Sequence, residues 1–408
     1  MSKKHIFTAA VAAMAAAAGW GASAHDASAQ VTTSWSGAPE TREGQQRFKI
    51  RGRFQYDIQD ANWDLGAEDG FRSYTRRAFL GAQGRLTDRW RYKVDFILTP
   101  SATSIGVDDA FLEYVTDDWS LVIGEFNITS PLEDRISSLD IPFIERSSMI
   151  NAFEFGRRAG LGFIAGGANY SFAAALQGDS LNNAETSFNN DESTAVSARF
   201  TYAPIFETAP EGVTLVHLGV HARARDAGGD ATSQIRTRPL NGRGARWIDS
   251  GSVAANRFDS DVTYGAELAL QRGPFGLTAE YAQMEGDTVG GLSRTYEGYY
   301  VDVYWSLTGE SRSYRGNQGS FGAISPRNPV TAEGGLGHWM ASARYDYLDL
   351  SDGTDPNRGE QTAWAVGLDW VPLDRVRFKL NYAVSDMDRT VGVDDEAQIV
   401  TLRTQFDF

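Results

Sequence analysis

The sequence predicts an all-β chain, a transmembrane antiparallel β-barrel of about 16 strands. Three observations predict it. Apolar and polar residues alternate with period two in segment after segment, commonly over about ten residues, the length of a tilted membrane strand. Connectors alternate between tight turns and long loops. No stretch of about 18 apolar residues occurs beyond the N-terminus, so no transmembrane helix is expected. A mean hydropathy of −0.35 fits a barrel, because half of every strand faces water.

The elements follow in chain order. "MSKKHIFTAAVAAMAAAAGWGASAHDASAQ" opens with Lys3 and Lys4, continues through an Ala-rich apolar core and reaches two small-residue sites, Ala22-Ser23-Ala24 and Ala27-Ser28-Ala29. This pattern predicts a secretory signal peptide over 1–29, cleaved after Ala24 or Ala29. Residues 30–46 form a short N-terminal segment, and the barrel is expected over 47–408. "RFKIRGRFQYDI" places Phe48, Ile50, Gly52, Phe54, Tyr56 and Ile58 on one face. Arg47, Lys49, Arg51 and Arg53 fall on the other. "RWRYKVDFILT" sets Trp90, Tyr92, Val94 and Phe96 against Arg91, Lys93 and Asp95. The pattern returns at 194–202, 213–225, 294–307, 338–348 and 363–371, with Arg199, Arg223, Arg225 and Arg344 on the polar side. "DRVRFKLNYAV" opposes Val376, Phe378, Leu380 and Tyr382 to Arg375, Arg377 and Lys379. The ending, "EAQIVTLRTQFDF", carries Val400, Leu402, Phe406 and Phe408 on one side and Arg403 on the other. It must pair with the first strand to remove the barrel's open edge.

Tight connectors occur at 86–90, 116–119, 272–276 and 371–375. Long ones are expected at 59–71, 127–157, 178–192, 226–260, 308–336 and 386–396. Short turns at one end and long loops at the other are the outer-membrane arrangement. Trp90, Trp119, Trp339, Trp370, Phe406 and Phe408 sit near strand ends, as in interfacial girdles. A secreted sandwich or propeller fits less well. The strands are two-faced, no blade-length repeat is visible, and no Pro/Ser-rich linker divides the chain.

"GRFQYD", "YTRRAFLGAQGRLTDRWRYKVDF", "VDDAFLEYV", "LVIGEFNITSPLEDRISSLDIPFIERS", "NAFEFGRRAGLGF", "YWSLTGESRSYRG", "ARYDYLDLSD" and "TLRTQFDF" together resemble the phosphate-selective porin O/P family. The resemblance runs over about 47–408. It implies a 16-stranded outer-membrane barrel of a Gram-negative bacterium, usually trimeric, with its long third loop folded into the lumen. It implies passive diffusion of small anions, phosphate or related oxyanions. The alternative is a general, weakly selective porin for small hydrophilic solutes.

The net charge of −15 and the pI near 4.8 argue against nucleic acid as a partner. They say less about a pore. Lys or Arg facing lipid at mid-membrane costs about 2–4 kcal/mol, so the alternation assigns the basic ladders to the lumen. Acidic loops beyond about 8–10 Å are screened. The ladders Arg47, Lys49, Arg51, Arg53, then Arg91 and Lys93, then Arg375, Arg377 and Lys379, are the candidate anion pathway. The resemblance adds Arg76 and Arg77 of "YTRRAF", Arg146 of "IERS", and Arg236, Arg238, Arg243 and Arg246 of "IRTRPLNGRGARWIDSG". Arginine suits oxyanions because its fork binds two oxygens at once.

One departure bears on selectivity. Where family members often carry a lysine in the stretch matching "GEFNITSP", this chain has Asn127, and mature-chain lysines are only Lys49, Lys93 and Lys379. An enzyme is not expected. His217 and His221 lie about 13 Å apart along a strand, too far for one metal site, and no P-loop, Cys or His cluster occurs. No cofactor and no metal are predicted. Expected partners are small anionic solutes, outer-membrane lipid and lipopolysaccharide, the barrel-assembly machinery and two further copies in a homotrimer. Phe408 resembles the C-terminal aromatic that addresses a barrel to that machinery.

Overall fold

The computed structural model describes residues 31–35, 37–66, 68–98, 105–183, 193–228 and 233–408. The signal peptide and its cleavage sites lie outside the described residues. β1 (Thr32–Trp35) and β2 (Pro39–Glu43) form a hairpin, and β2 pairs with the start of β3 (Gln46–Trp63), Glu40 opposite Lys49. The wall continues through β4 (Gly70–Arg85), β5 (Trp90–Ile97), β6 (Gly106–Val115) and β7 (Trp119–Phe126). After a long loop come β8 (Arg158–Gly166), β9 (Tyr170–Gln177), β10 (Thr194–Ala209) and β11 (Gly212–Asp226). β12 (Arg236–Thr237) and β13 (Ile248–Asp249) pair within the next loop. β14 (Phe258–Arg272), β15 (Phe275–Thr288) and β16 (Ser293–Ser306) follow. β17 (Tyr314–Arg315) and β18 (Ser320–Phe321) form a small hairpin off the wall. β19 (His338–Asp349), β20 (Gly359–Leu373), β21 (Val376–Arg389) and β22 (Asp395–Asp407) complete the barrel.

The wall has 16 antiparallel strands, as the alternation predicts, and β22 closes it on β3 with Leu402 opposite Ile58 and Phe406 opposite Phe54. One residue past the end of β22, Phe408 N donates to Gly52 O at 3.0 Å and Gly52 N to Phe408 O at 3.1 Å. A Cβ at residue 52 would stand 2.4 Å from the Phe408 ring, so only glycine lets the terminal ring lie there. Closure leaves the 16-strand wall without an open edge, the condition for lying in lipid.

Outward side chains are apolar and bare. Leu161 and Leu176 are each 58% exposed, and Val196 and Trp364 each 60%, a surface fitted to hydrocarbon rather than water. At the turn end, Trp339 stacks on Trp370 and Trp370 on Phe378 at centroid distances of 5.5 and 5.4 Å. Trp90–Tyr114 and Phe275–Trp305, at 5.1 and 5.7 Å, continue this aromatic girdle.

The connectors differ from expectation in two ways. Strands run further into the expected loops, so 59–71 contracts to 64–69 and 386–396 to 390–394. The long connector after β16 leaves from the short-turn end instead of the loop end, because β16 runs toward the turns. It folds back inside the barrel. Arg199 donates to Gln318 O and Gly319 O at 3.2 and 2.8 Å, and His217 Nδ1 shares a proton with the Tyr314 hydroxyl at 2.6 Å. There Tyr314 and Phe321 meet Leu132, Ile136 and Ile141 of the 127–157 loop in one buried apolar cluster. Two segments thus enter the lumen from opposite ends and touch.

Candidate functional site in the lumen

The 127–157 loop holds α1 (Leu132–Arg135) and α2 (Ser148–Ala152). It is strapped across the lumen by charged wall residues that bond mostly to its backbone. Glu280 on β15 accepts from Leu132 N and Glu133 N at 2.8 and 2.7 Å, groups left orphaned at a helix start. Asp346 on β19 accepts from Ser148 N at 2.8 Å. Arg377 donates to Leu139 O, Lys379 to Ile141 O and, at 2.6 Å, Arg403 to Ile144 O. Arg344 donates to Glu145 O at 3.1 Å while forming ion pairs with Asp302 and Glu133 at 2.7 and 2.5 Å. Bonds to charged groups contribute about 1.5–3 kcal/mol each, so the strap is firmly held.

Two β-bulges set the inward charges. Consecutive strand residues normally face opposite sides. On β4 the register with β3 slips between Gln55 and Tyr56, and Arg76 becomes the extra residue. Arg76 and Arg77 therefore both turn inward. Arg76 grips Glu145 through two bonds of 2.7 and 2.8 Å, and Arg403 reaches the same carboxylate at 2.9 Å. Burial alone would raise the Glu145 carboxyl, but Arg76 and then Arg403 hold it well below the usual carboxylate range. On β6 a second slip against β5 doubles Asp108 and Asp109 opposite Asp95.

A cavity of about 930 Å³ remains between the strap and the wall β3–β8, reaching Arg315 of the turn-end segment. Of the predicted pathway residues, Arg51, Arg53, Arg77, Lys93 and Arg146 line it. Arg51 pairs with Asp95 at 3.4 Å, Arg146 with Asp134 at 3.3 Å, and Lys93 with Asp109. Arg135, Arg157, Arg158 and Arg315 also line it and fall outside the predicted set. They lie in loops or at strand ends, where period two carries no inside–outside information. Arg157 is held by Asp109 at 3.0 Å and Asp108 at 3.4 Å, and Arg158 by Asp179 at 3.3 Å.

Among the described residues, four cavity arginines form no ion pair. Arg53 donates to Ser138 Oγ at 2.9 Å and lies over the Phe79 ring at 5.0 Å. Arg77 donates to Gln55 Oε1 at 3.1 Å, and Arg135 to Asn127 O. Burial, then the neighbouring Arg199, lowers the Arg135 guanidinium to about 10. Arg315 is exposed to the cavity. Against these stands Glu154, the cavity acid that likewise forms no ion pair.

The other predicted residues sit elsewhere. Arg47 pairs with Glu40 at 2.6 Å, Arg91 with Glu113 at 3.8 Å and Arg375 with Asp407 at 3.3 Å, all toward the turn end. Lys49 is buried on β3. Arg377 and Lys379 serve the strap, and Lys379 is fully buried against Asp369 at 2.8 Å. Residues 233–257 do dip into the mouth. Leu240 packs on Phe143, and Trp247 meets Trp63 at 5.1 Å. The arginines of this loop stay above the cavity: Arg236 is 4.0 Å from Asp249, Arg238 donates to Gly244 O at 2.9 Å, Arg243 lies 5.5 Å over Tyr74, and Arg246 donates to Arg236 O at 3.4 Å. Burial and the repulsion of Arg238 and Arg236 lower Arg246 to about 10.

His217 and His221 both reach Glu267, at 3.2 and 3.3 Å, because Glu267 lies opposite Gly219 midway between them. A Cβ at 219 would stand 2.5 Å from Glu267 Oε2. Arg199 already neutralises that carboxylate at 2.6 Å. Asp95, Asp108 and Asp109 also lie close together, but Arg51, Lys93 and Arg157 balance them.

Comparison with known proteins agrees with this architecture. The model of the family described as phosphate-selective porin O and P matches residues 48–408. An uncharacterized protein of Caulobacter vibrioides is 30% identical over 402 residues, covering 94% of this chain and 79% of the relative. Porin O of Pseudomonas aeruginosa is 25% identical over 398 residues, covering 88% of each. Among solved structures, a loop-deletion form of OmpT, an outer-membrane protein of Vibrio cholerae, superposes with a TM-score of 0.57 at 12% identity, covering 89% of this chain and 99% of that one. An anion-selective porin from Comamonas acidovorans gives 0.53 at 11% identity, covering 88% and 100%. The last two show the fold alone, whereas the match over 48–408 carries the assignment: this chain is an outer-membrane porin of a Gram-negative bacterium and belongs to the phosphate-selective porin O and P family.

Proposed function

We propose that the channel passes small anions by passive diffusion through the cavity between the strap and β3–β8. One observation carries this reading. Four guanidinium groups there, those of Arg53, Arg77, Arg135 and Arg315, are without carboxylate partners, against the single Glu154. A paired cation presents nearly no net field to a passing ion, whereas an unpaired one at contact contributes about 1 kcal/mol even at the dielectric of water. The net charge of −15 does not oppose this, since acids beyond about 8–10 Å are screened. The groups are all guanidinium and Asn127 supplies no lysine, so the field suits anions in general rather than phosphate in particular. The trimer form of OmpT supports a homotrimer; a setting in lipid and lipopolysaccharide and an assembly signal at Phe408 complete the proposal. The test is the reversal potential of the refolded chain in a planar bilayer under a KCl gradient. A potential on the chloride side is expected; a potassium-side value sinks the proposal.

A further inference from the structure

The cavity wall carries something an inorganic-anion pore does not need. Lumen-facing positions of a water-filled barrel are ordinarily polar. Here Phe79, Ile97, Phe111, Val122 and Ile164, on five successive strands β4 to β8, all line the cavity. Phe79 and Ile97 face each other directly across the β4–β5 ladder. Phe111 lies opposite Gly124, which leaves its ring uncovered on that side. Phe111 and Ile164 pack against the buried cluster of Val122, Phe126 and Ile128, yet with Phe79 and Ile97 they remain only half-buried. This apolar strip begins at the arginines. Phe79 is the direct register partner of Arg53, and its ring lies under that guanidinium. Arg77, one lumen-facing position along the same strand, completes the junction.

Resting on the anion reading above, we infer that the preferred solutes are small organic carboxylates with an apolar body, aromatic or branched aliphatic. The Arg53–Arg77 pair takes the carboxylate, because a guanidinium fork matches its two oxygens. The body then lies along Phe79, Ile97 and Phe111 and removes their exposed surface from water. Phosphate gains nothing from this strip and loses water partners along it.

The strip and the charges are separable by experiment. Chloride current through the inserted wild-type channel is measured while benzoate, acetate or inorganic phosphate is added. Benzoate is expected to reduce the current at a concentration roughly tenfold below that of acetate or phosphate, the ratio that covering part of one ring supports. Equal potency of benzoate and acetate, or greatest potency for phosphate, overturns the inference. Potassium selectivity in plain KCl would instead sink the underlying anion reading. Phe79→Ser with Phe111→Ser is expected to bring benzoate to the acetate value; persisting benzoate preference also overturns the inference. The wild-type comparison stands even if that variant fails to insert.

Discussion

Arg77→Gln isolates one unpaired lumenal charge. Glutamine can still reach Gln55, so the local wall is kept while the positive charge goes. An ion passing at about 4 Å gains or loses about 1 kcal/mol against a single charge at the dielectric of water. A Debye length of about 8 Å reduces that to roughly 0.6 kcal/mol. Anions lose this attraction and cations lose the matching repulsion, so their relative permeability shifts by about 1.2 kcal/mol, or about sevenfold toward cations. The assay is the reversal potential in a KCl gradient for the wild-type and variant channels. Arg89→Gln is the control, because Arg89 pairs with Asp117 at 3.0 Å on an exposed turn. The reasoning fails if Arg77→Gln leaves the potential where it was, or if the control moves it equally.

Three other perturbations probe the frame around the pore. Glu145→Gln leaves Arg76 without a carboxylate at a site where breaking a buried pair costs about 3–5 kcal/mol. Flickering open-channel current is expected, and a quiet trace would mean that the remaining strap bonds suffice. Burial opposes ionisation of Glu310, but Thr308, the Arg327 amide and His338 lower its carboxyl to about 2 from 4.5. A depressed folded value stabilises above the unfolded one, so the tether of the turn-end segment is constant at neutral pH and fades as pH falls from 4.5 toward about 2. Hydrogen exchange of the Arg327 amide, which donates to Glu310 at 3.0 Å, is expected to lose protection in that window and at neutral pH in Glu310→Gln; protection independent of both counts against it. Deleting Phe408 removes the ring over Gly52 and is expected to lower the yield of inserted barrels while leaving single-channel conductance unchanged, the opposite pattern refuting an assembly role.

Strand number and sidedness were legible because lipid makes alternation nearly obligatory. From "RFKIRGRFQYDI" to "TLRTQFDF", the predicted apolar faces stand outward, and of the basic ladders Arg51, Arg53 and Lys93 line the cavity. Period two could not announce the bulges. It puts Arg76 and Arg77 on opposite faces, and only the extra residue against Gln55 and Tyr56 turns both inward. Nor could it say at which end 308–336 emerges, because that depends on counting every earlier strand correctly. Arg135 and Arg315 carry no period-two signal because both lie off the wall, in the strap and the turn-end segment.

Which inward cations are left for solute depends on register, a property of strand pairs rather than strands. Arg344 faces Asp302 across the ladder, Arg403 faces Asp57, Lys379 faces Asp369 and Arg225 faces Asp261. Each of these is bound to the acid opposite it. Arg53 faces Phe79 on β4 and Asp407 on β22, but Asp407 is taken by Arg375 at 3.3 Å, and Arg77 faces Gln55. Opposed charges on one sheet face lie about 4.5–5.5 Å apart at Cβ, close enough that an acid in register captures its cation unless a second cation takes the acid. Captured cations still have donors to spare, and Arg344, Arg403 and Lys379 turn them to the carbonyls of the strap. The ladder at 375–379 and the one at 47–53 look alike as sequence. The acid at 369 commits Lys379 to holding the loop, whereas Arg375 takes the acid opposite Arg53 and leaves that guanidinium over Phe79, facing the pore.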